Sequence, residues 1–523
     1  MPKLQRAHAV TGVIAALLLA SCGGGGGDSG AIIIGPGGGG GGTGRGSLVS
    51  SPPPRTSSFT ADEFKALLNL STSGKALEQV AGAPRCGVEV RSVEYRTVGA
   101  KGEATNATAA LMLPTGSGAP CSGAKPIVLY AHGTSPARNY NLADFANPSQ
   151  PAAFEGQIVA AMFAAQGYIV VAPNYAGYDK STLPYHPYLN GDQQGKDMVD
   201  ALAAARTALP SVSATDGGAL LVTGYSQGGY VALAAQRELQ SSGKTVTAAA
   251  ALSAPSAISL MLDYSFSGWP TLGATVFTTM LIESWQQQFG NVYSATGDIF
   301  EAQYANGIDT LLPSLTPIND LLATGKLPPL AMYPANATPG PVSPALAIFY
   351  GAGNLIKQSY LTQGANDIAA NPCAGNALPA TATSLSTAAP LDCKPGLMLR
   401  QAAVANDLRN WLPVRPLLMC GGALDPTVNF LSTRATAGYF RARGMPAAAL
   451  AVLDLEEAGG ASDPFAAARA GFATAKANLF ASTAGTPDVK ASAVTQAYHG
   501  ALVAPFCLAS ARGFFESVRA SGS

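Results

Sequence analysis

Apolar positions along the chain fall into two rhythms, short continuous runs and longer stretches of helical period, and the two alternate. Residues 88–98 and 105–113 suit the antiparallel opening of a mixed sheet. Residues 126–131 (P-I-V-L-Y-A) are continuously apolar, as in a strand buried on both faces. Helix-like 152–166 follows, then strand-like 168–172, helix-like 192–209, strand-like 219–223 and helix-like 229–239. Residues 245–252 are a further strand candidate. This order predicts an α/β fold, a mostly parallel central sheet with helices on both faces.

The alternation breaks at residues 257–407. That stretch is aromatic in its first half (Tyr264, Trp269, Phe277, Trp285) and rich in Pro, Ala and Asn in its second. Pattern returns with strand-like 416–419, helix-like 430–443, strand-like 447–455 and a terminal helix over 508–520. The reading is a core domain in two parts, 59–256 and 408–523, with a cap inserted at 257–407.

The amino terminus differs in kind. Residues 1–22 carry Lys3 and Arg6, then an apolar segment too short to span a bilayer, and so predict an export signal. Leu19-Ala20-Ser21-Cys22 resembles the lipobox of bacterial lipoproteins. That resemblance implies a mature chain that starts at a lipidated Cys22 and is anchored to a bacterial membrane, at the periplasmic or cell-surface side, or else secreted. Residues 23–58, dominated by Gly, Ser and Pro, cannot bury a core and predict a flexible tether.

Of the 523 residues only 12% are charged, and the formal net charge is zero. With no basic patch, a nucleic-acid partner is not expected. Six cysteines remain besides Cys22: Cys86, Cys121, Cys373, Cys393, Cys420 and Cys507. An even number in an exported chain predicts disulfides. Sequence proximity favours Cys86–Cys121 and Cys373–Cys393, which leaves Cys420–Cys507 by elimination. Neither the cysteines nor the histidines have metal-ligand spacing, so no metal and no cofactor is expected.

Candidate chemistry centres on Gly224-Tyr225-Ser226-Gln227-Gly228, between a strand candidate and a helix candidate. A serine on a tight strand-to-helix turn is thrust out of the sheet, and the flanking glycines relieve crowding there. Among 59 glycines the five letters alone carry little, so the setting makes the case. A serine hydroxyl needs a positioned base. The chain has four histidines, and His8 leaves with the signal. His499, in a loop before the terminal helix, comes last and fits the order Ser, acid, His. Asp425, in a Gly-rich turn after strand-like 416–419, is the expected acid, with Asp454 as alternative. The oxyanion donors expected are the N–H groups of Gln227 and Thr134. His132 is read as structural, and His186 as a surface or packing residue near the pocket.

Four segments together resemble the α/β-hydrolases, and within them the secretory lipases of the fungal lipase A type and their bacterial relatives. They are Ala131-His132-Gly133-Thr134, Val170-Val171-Ala172-Pro173-Asn174-Tyr175-Ala176-Gly177, Gly224-Tyr225-Ser226-Gln227-Gly228-Gly229 and Gly422-Ala423-Leu424-Asp425-Pro426-Thr427-Val428. Asn174 stands where many relatives carry Asp. The resemblance implies hydrolysis of carboxylic esters through a Ser-His-Asp triad, with a cap between nucleophile and acid. Trp269, Phe277 and Trp285 are expected to cover an acyl pocket. The alternatives are a serine peptidase on the same fold, or an inactive surface lipoprotein.

Overall fold

Strands with no polar face need cover on both sides, and this requirement organises the molecule. In the computed structural model the described residues are 44–377, 391–460 and 462–522. Residues 1–43, which include the expected signal, Cys22 and most of the tether, lie outside them.

Nine strands form one sheet: β1 (Arg55–Phe59), β2 (Gly87–Val98), β3 (Ala104–Thr115), β4 (Lys125–Ala131), β5 (Ile169–Pro173), β6 (Asp216–Tyr225), β7 (Ala248–Leu252), β8 (Leu417–Gly421) and β9 (Leu450–Asp454). Their spatial order is β1-β2-β3-β5-β4-β6-β7-β8-β9. The first three run antiparallel to their neighbours, and β5, β4, β6, β7, β8 and β9 are mutually parallel. Every residue of β5, β7 and β8 is buried.

The helices labelled here, in chain order, are α1 (Ala61–Leu68), α2 (Thr72–Ala81), α3 (Ala153–Met162), α4 (Gly191–Ala208), α5 (Gln227–Ser241), α6 (Ile258–Phe266) and α7 (Ala274–Phe289). Between β7 and β8 the described chain adds helices but no strand to the sheet. That insertion, which opens with α6 and α7, shares one continuous core with the sheet domain. Its end is pinned by two buried guanidinium groups. Arg400 pairs with Asp263 and Asp367, and Arg409 pairs with Asp407 and donates to the Gly375 carbonyl. Unpairing either would strand a buried charge.

Residues 44–58, expected from composition to belong to a flexible tether, pair with the sheet instead. Gly46 and Val49 donate backbone N–H to Arg96 and Glu94, and β1 pairs with β2, so residues 44–58 are bound to the sheet despite their turn-forming composition. All three disulfides have the expected pairing: Cys86–Cys121, Cys373–Cys393 and Cys420–Cys507.

Candidate active site

β6 ends at Tyr225 and α5 begins at Gln227, which leaves Ser226 alone on the turn with φ 60° and ψ −123°. That backbone is costly for a residue with a Cβ and persists only where the surroundings enforce it. Here a hydrogen bond from Ser226 N–H to the Leu252 carbonyl (2.8 Å) holds it. The glycines are obligatory. A Cβ on Gly228 would lie 1.9 Å from the Ala131 carbonyl oxygen, and one on Gly224 2.3 Å from that of Gly228.

His499 Nε2 lies 2.8 Å from Ser226 Oγ, and its Nδ1 lies 2.7 Å from Asp425 Oδ2. A carboxylate only accepts, so Nδ1 carries the ring proton and Nε2 is left to accept from the serine. The other Asp425 oxygen accepts the N–H groups of Thr427 (2.9 Å) and Val428 (3.0 Å), which fixes the carboxylate plane. The acid is buried, while its histidine is partly open to solvent.

The surroundings of His499 differ from expectation. It sits not in a loop but in a π-helical turn, Tyr498–Val503, between the helices Pro487–Ala497 and Ala504–Ala520. Such a wide turn re-aims side chains inside a continuous helix and recurs at functional sites. Tyr225 supports it from below, its hydroxyl donating to the His499 carbonyl. Asp454, the alternative acid, does not touch His499. It accepts from Ala423 N–H (2.9 Å) and pairs with Arg434, and so braces the loop that carries Asp425.

Two N–H groups border the serine. Gln227 opens α5, and Thr134 lies in the loop after β4; both line the cavity that reaches Ser226. Among the described residues neither N–H has an acceptor. The Gly133–Thr134 peptide is oriented from its other side, since His132 Nδ1 lies 2.6 Å from the Gly133 carbonyl. In a planar trans peptide this turns the Thr134 N–H away from His132. The Gly133 N–H is engaged by Glu155 (2.9 Å), a carboxylate also bonded by Tyr130 and Tyr140. His132 is buried between the Tyr140 and Tyr175 rings, with centroids 4.4 and 4.1 Å away, and burial lowers its pKa. It is structural, as its motif suggests.

His186 is not a surface residue. It is buried, its Nδ1 bonds the Ala176 carbonyl, and its Nε2 lies 2.8 Å from the Gln227 side-chain amide. Asn174 is fully buried too; it accepts from Leu142 N–H and donates to the Thr108 hydroxyl, a neutral bracket between the segment after β4 and strand β3 where a carboxylate would be desolvated. Sequence gave no sign of Glu155, Tyr188 or Tyr225, whose roles depend on contacts between distant elements.

The cavity above Ser226 measures 110 Å³ and is walled by the insertion, through Phe277, Leu281, Trp285, Met332, Tyr333 and Ile356 among others. Among the described residues no charged side chain lines it. Trp269 is absent from its wall: 39% exposed, it packs on Tyr264 at the surface. Among the described residues no cluster of His, Cys, Asp or Glu is placed to hold a metal ion.

The arrangement has counterparts. Residues 154–271 match the prolyl oligopeptidase family. The ligand-bound rice cell wall degrading esterase LipA from Xanthomonas oryzae is 25% identical, with a TM-score of 0.62 over 82% of this chain and 95% of that one. Another structure of that esterase is 26% identical, with a TM-score of 0.61 and the same coverage. A Legionella pneumophila protein at 17% identity shares the fold, with a TM-score of 0.61 over 91% of this chain and 99% of its own. Candida antarctica lipase A overlaps less, at 14% identity and a TM-score of 0.44 over 72% of this chain and 73% of its own. No functionally curated protein matches the chain significantly. By the order of its sheet and by these likenesses, the chain has the α/β-hydrolase fold, and over most of its length it resembles the Xanthomonas oryzae esterase.

Proposed function

We propose that the protein is a serine hydrolase of carboxylic esters, of esterase or lipase type. The observation that carries this is the continuous Ser226–His499–Asp425 relay, at 2.8 and 2.7 Å, opening into an uncharged apolar cavity. Ser226 Oγ attacks the ester carbonyl as His499 Nε2 takes its proton, and the C–O bond to the alcohol breaks as His499 returns that proton to the leaving oxygen. Water, deprotonated by the same imidazole, then releases the acid from the acyl-serine. The Gln227 and Thr134 N–H groups stabilise the negative oxygen of each tetrahedral intermediate.

A serine peptidase is the second reading, favoured by the prolyl oligopeptidase match over residues 154–271. A peptide's ammonium group calls for a carboxylate, and the cavity wall has none. The esterase likeness points the same way. A p-nitrophenyl acyl ester series run beside aminoacyl-nitroanilides separates the two. Turnover of the esters alone supports the proposal, and a preference for the anilides contradicts it.

The insertion sets acyl preference. Phe277 is a half-buried wall residue, and its truncation enlarges the cavity without removing a fully buried side chain. Phe277→Ala is expected to move the optimum toward longer acyl chains, with a loss of stability of no more than about 1–2 kcal/mol. A collapse of folding with unchanged preference would instead make Phe277 core. Trp285 is less suited to this test, because it is fully buried and its Nε1 donates to the Leu189 carbonyl.

The amino-terminal motif supports a lipid anchor at Cys22, with the Gly-rich segment holding the enzyme off the membrane. Cys22→Ser is expected to move the protein from the membrane fraction to the soluble one. A mature wild-type chain with no acyl mass on its first residue would refute the anchor.

A further inference from the structure

We propose that His186-Pro187-Tyr188 is a clamp that sets the spacing of the two oxyanion donors, which makes His186 and Tyr188 positioning residues. The inference rests on the reading of Gln227 and Thr134 as those donors. The donor residues follow two different strands, β6 and β4, and each has its side chain held by one end of this tripeptide. His186 Nε2 meets the Gln227 amide nitrogen at 2.8 Å, and Tyr188 hydroxyl meets Thr134 Oγ1 at 3.0 Å.

The polarity of the first hold is determined. The Ala176 carbonyl, 2.9 Å from His186 Nδ1, can only accept, so Nδ1 carries the proton. Burial lowers the His186 pKa to about 3, so the ring stays neutral and Nε2 is a bare acceptor for the Gln227 N–H. The tripeptide is itself rigid. Pro187 restricts its backbone, and Tyr188 N–H bonds the His186 carbonyl at 2.7 Å. Leu189 follows with φ 50°, and its carbonyl is gripped by Tyr230 (3.0 Å) and Trp285 (3.2 Å). Two side chains two residues apart on one braced turn thus tie the start of α5 to the loop after β4.

Stabilisation of a developing oxyanion depends steeply on donor placement, whereas ground-state binding in an apolar cavity does not. Loss of one hold should therefore fall on kcat and leave KM alone. The test compares Tyr188→Phe and His186→Asn with wild type, through kcat and KM on a p-nitrophenyl ester, affinity for a trifluoromethyl ketone of the same acyl length, and melting temperature. Each variant is expected to lose about tenfold in kcat, with KM within about twofold and ketone affinity falling in step with kcat. Tyr188→Phe keeps the buried ring and decides the matter should His186→Asn fail to fold. Unchanged kcat and ketone affinity in folded Tyr188→Phe, or a loss confined to KM, would overturn the clamp while wild-type ester turnover still stood. A wild type that turns over no ester would overturn the underlying reading, and the clamp with it.

Discussion

Ser226→Ala is expected to remove ester hydrolysis, with a fall in kcat of about 10⁴-fold or more, and to leave the fold intact. Both halves follow from the geometry. Among the described residues the Ser226 hydroxyl bonds only to His499, so its loss strands no other buried group. The backbone bond to the Leu252 carbonyl and the positive φ are the same for alanine as for serine. His499→Ala should cost nearly as much, because the relay acts as a unit and the penalties do not add. Asp425→Asn should be milder and more informative. Its oxygen can still accept the Thr427 and Val428 N–H groups, so the loop survives. An amide N–H2 facing Nδ1 would favour the wrong tautomer, with the Nε2 proton pointing at the serine. Initial rates on a short p-nitrophenyl ester, taken beside melting curves, read both effects.

The second large effect concerns stability. Replacing Cys420 and Cys507 together by alanine is expected to cost about 4–5 kcal/mol in the chain-entropy treatment, less any native strain relieved. The bond closes a loop of sequence separation 87, and both cysteines are fully buried. Cys420 belongs to β8, which lies between β7 and β9, whereas Cys507 belongs to the helix Ala504–Ala520 that follows the His499 turn. The bond therefore ties the strand that leads to Asp425 to the helix that follows His499. For a chain of this length calorimetry should show a fall in melting temperature of roughly 4–5 °C. A melting temperature within a degree or two of wild type would mean that packing alone holds these elements. Residual activity at low temperature should fall less steeply than stability, since Asp425 keeps its two backbone donors.

The parallel half of the sheet was legible because strands buried on both faces read as apolar runs, and β4, β5, β6, β7 and β8 all do. The candidate site was legible because the tight turn at Ser226 demands glycines and because histidine is scarce in this chain. What escaped was written in contacts instead of periodicity. The helices Ala466–Ser482 and Pro487–Ala497 are rich in alanine and show little contrast between their faces, so they gave no clear signal. That omission left His499 in an imagined loop. β1 follows Pro52, Pro53 and Pro54, and a reading by composition extended the tether across it. His186 looked peripheral because its partners, Ala176 and Gln227, lie on other elements. Trp269 looked like pocket wall because an aromatic cluster in sequence does not say which rings face inward.

The central claim is that Ser226 is the nucleophile of an ester hydrolase, and labelling with a fluorophosphonate probe followed by peptide mapping tests it most directly. The account predicts one phosphonylated residue, Ser226, with labelling lost in His499→Ala and slowed by an ester substrate. An enzyme that turns over esters while Ser226 stays unlabelled, or that carries the label elsewhere, would contradict it.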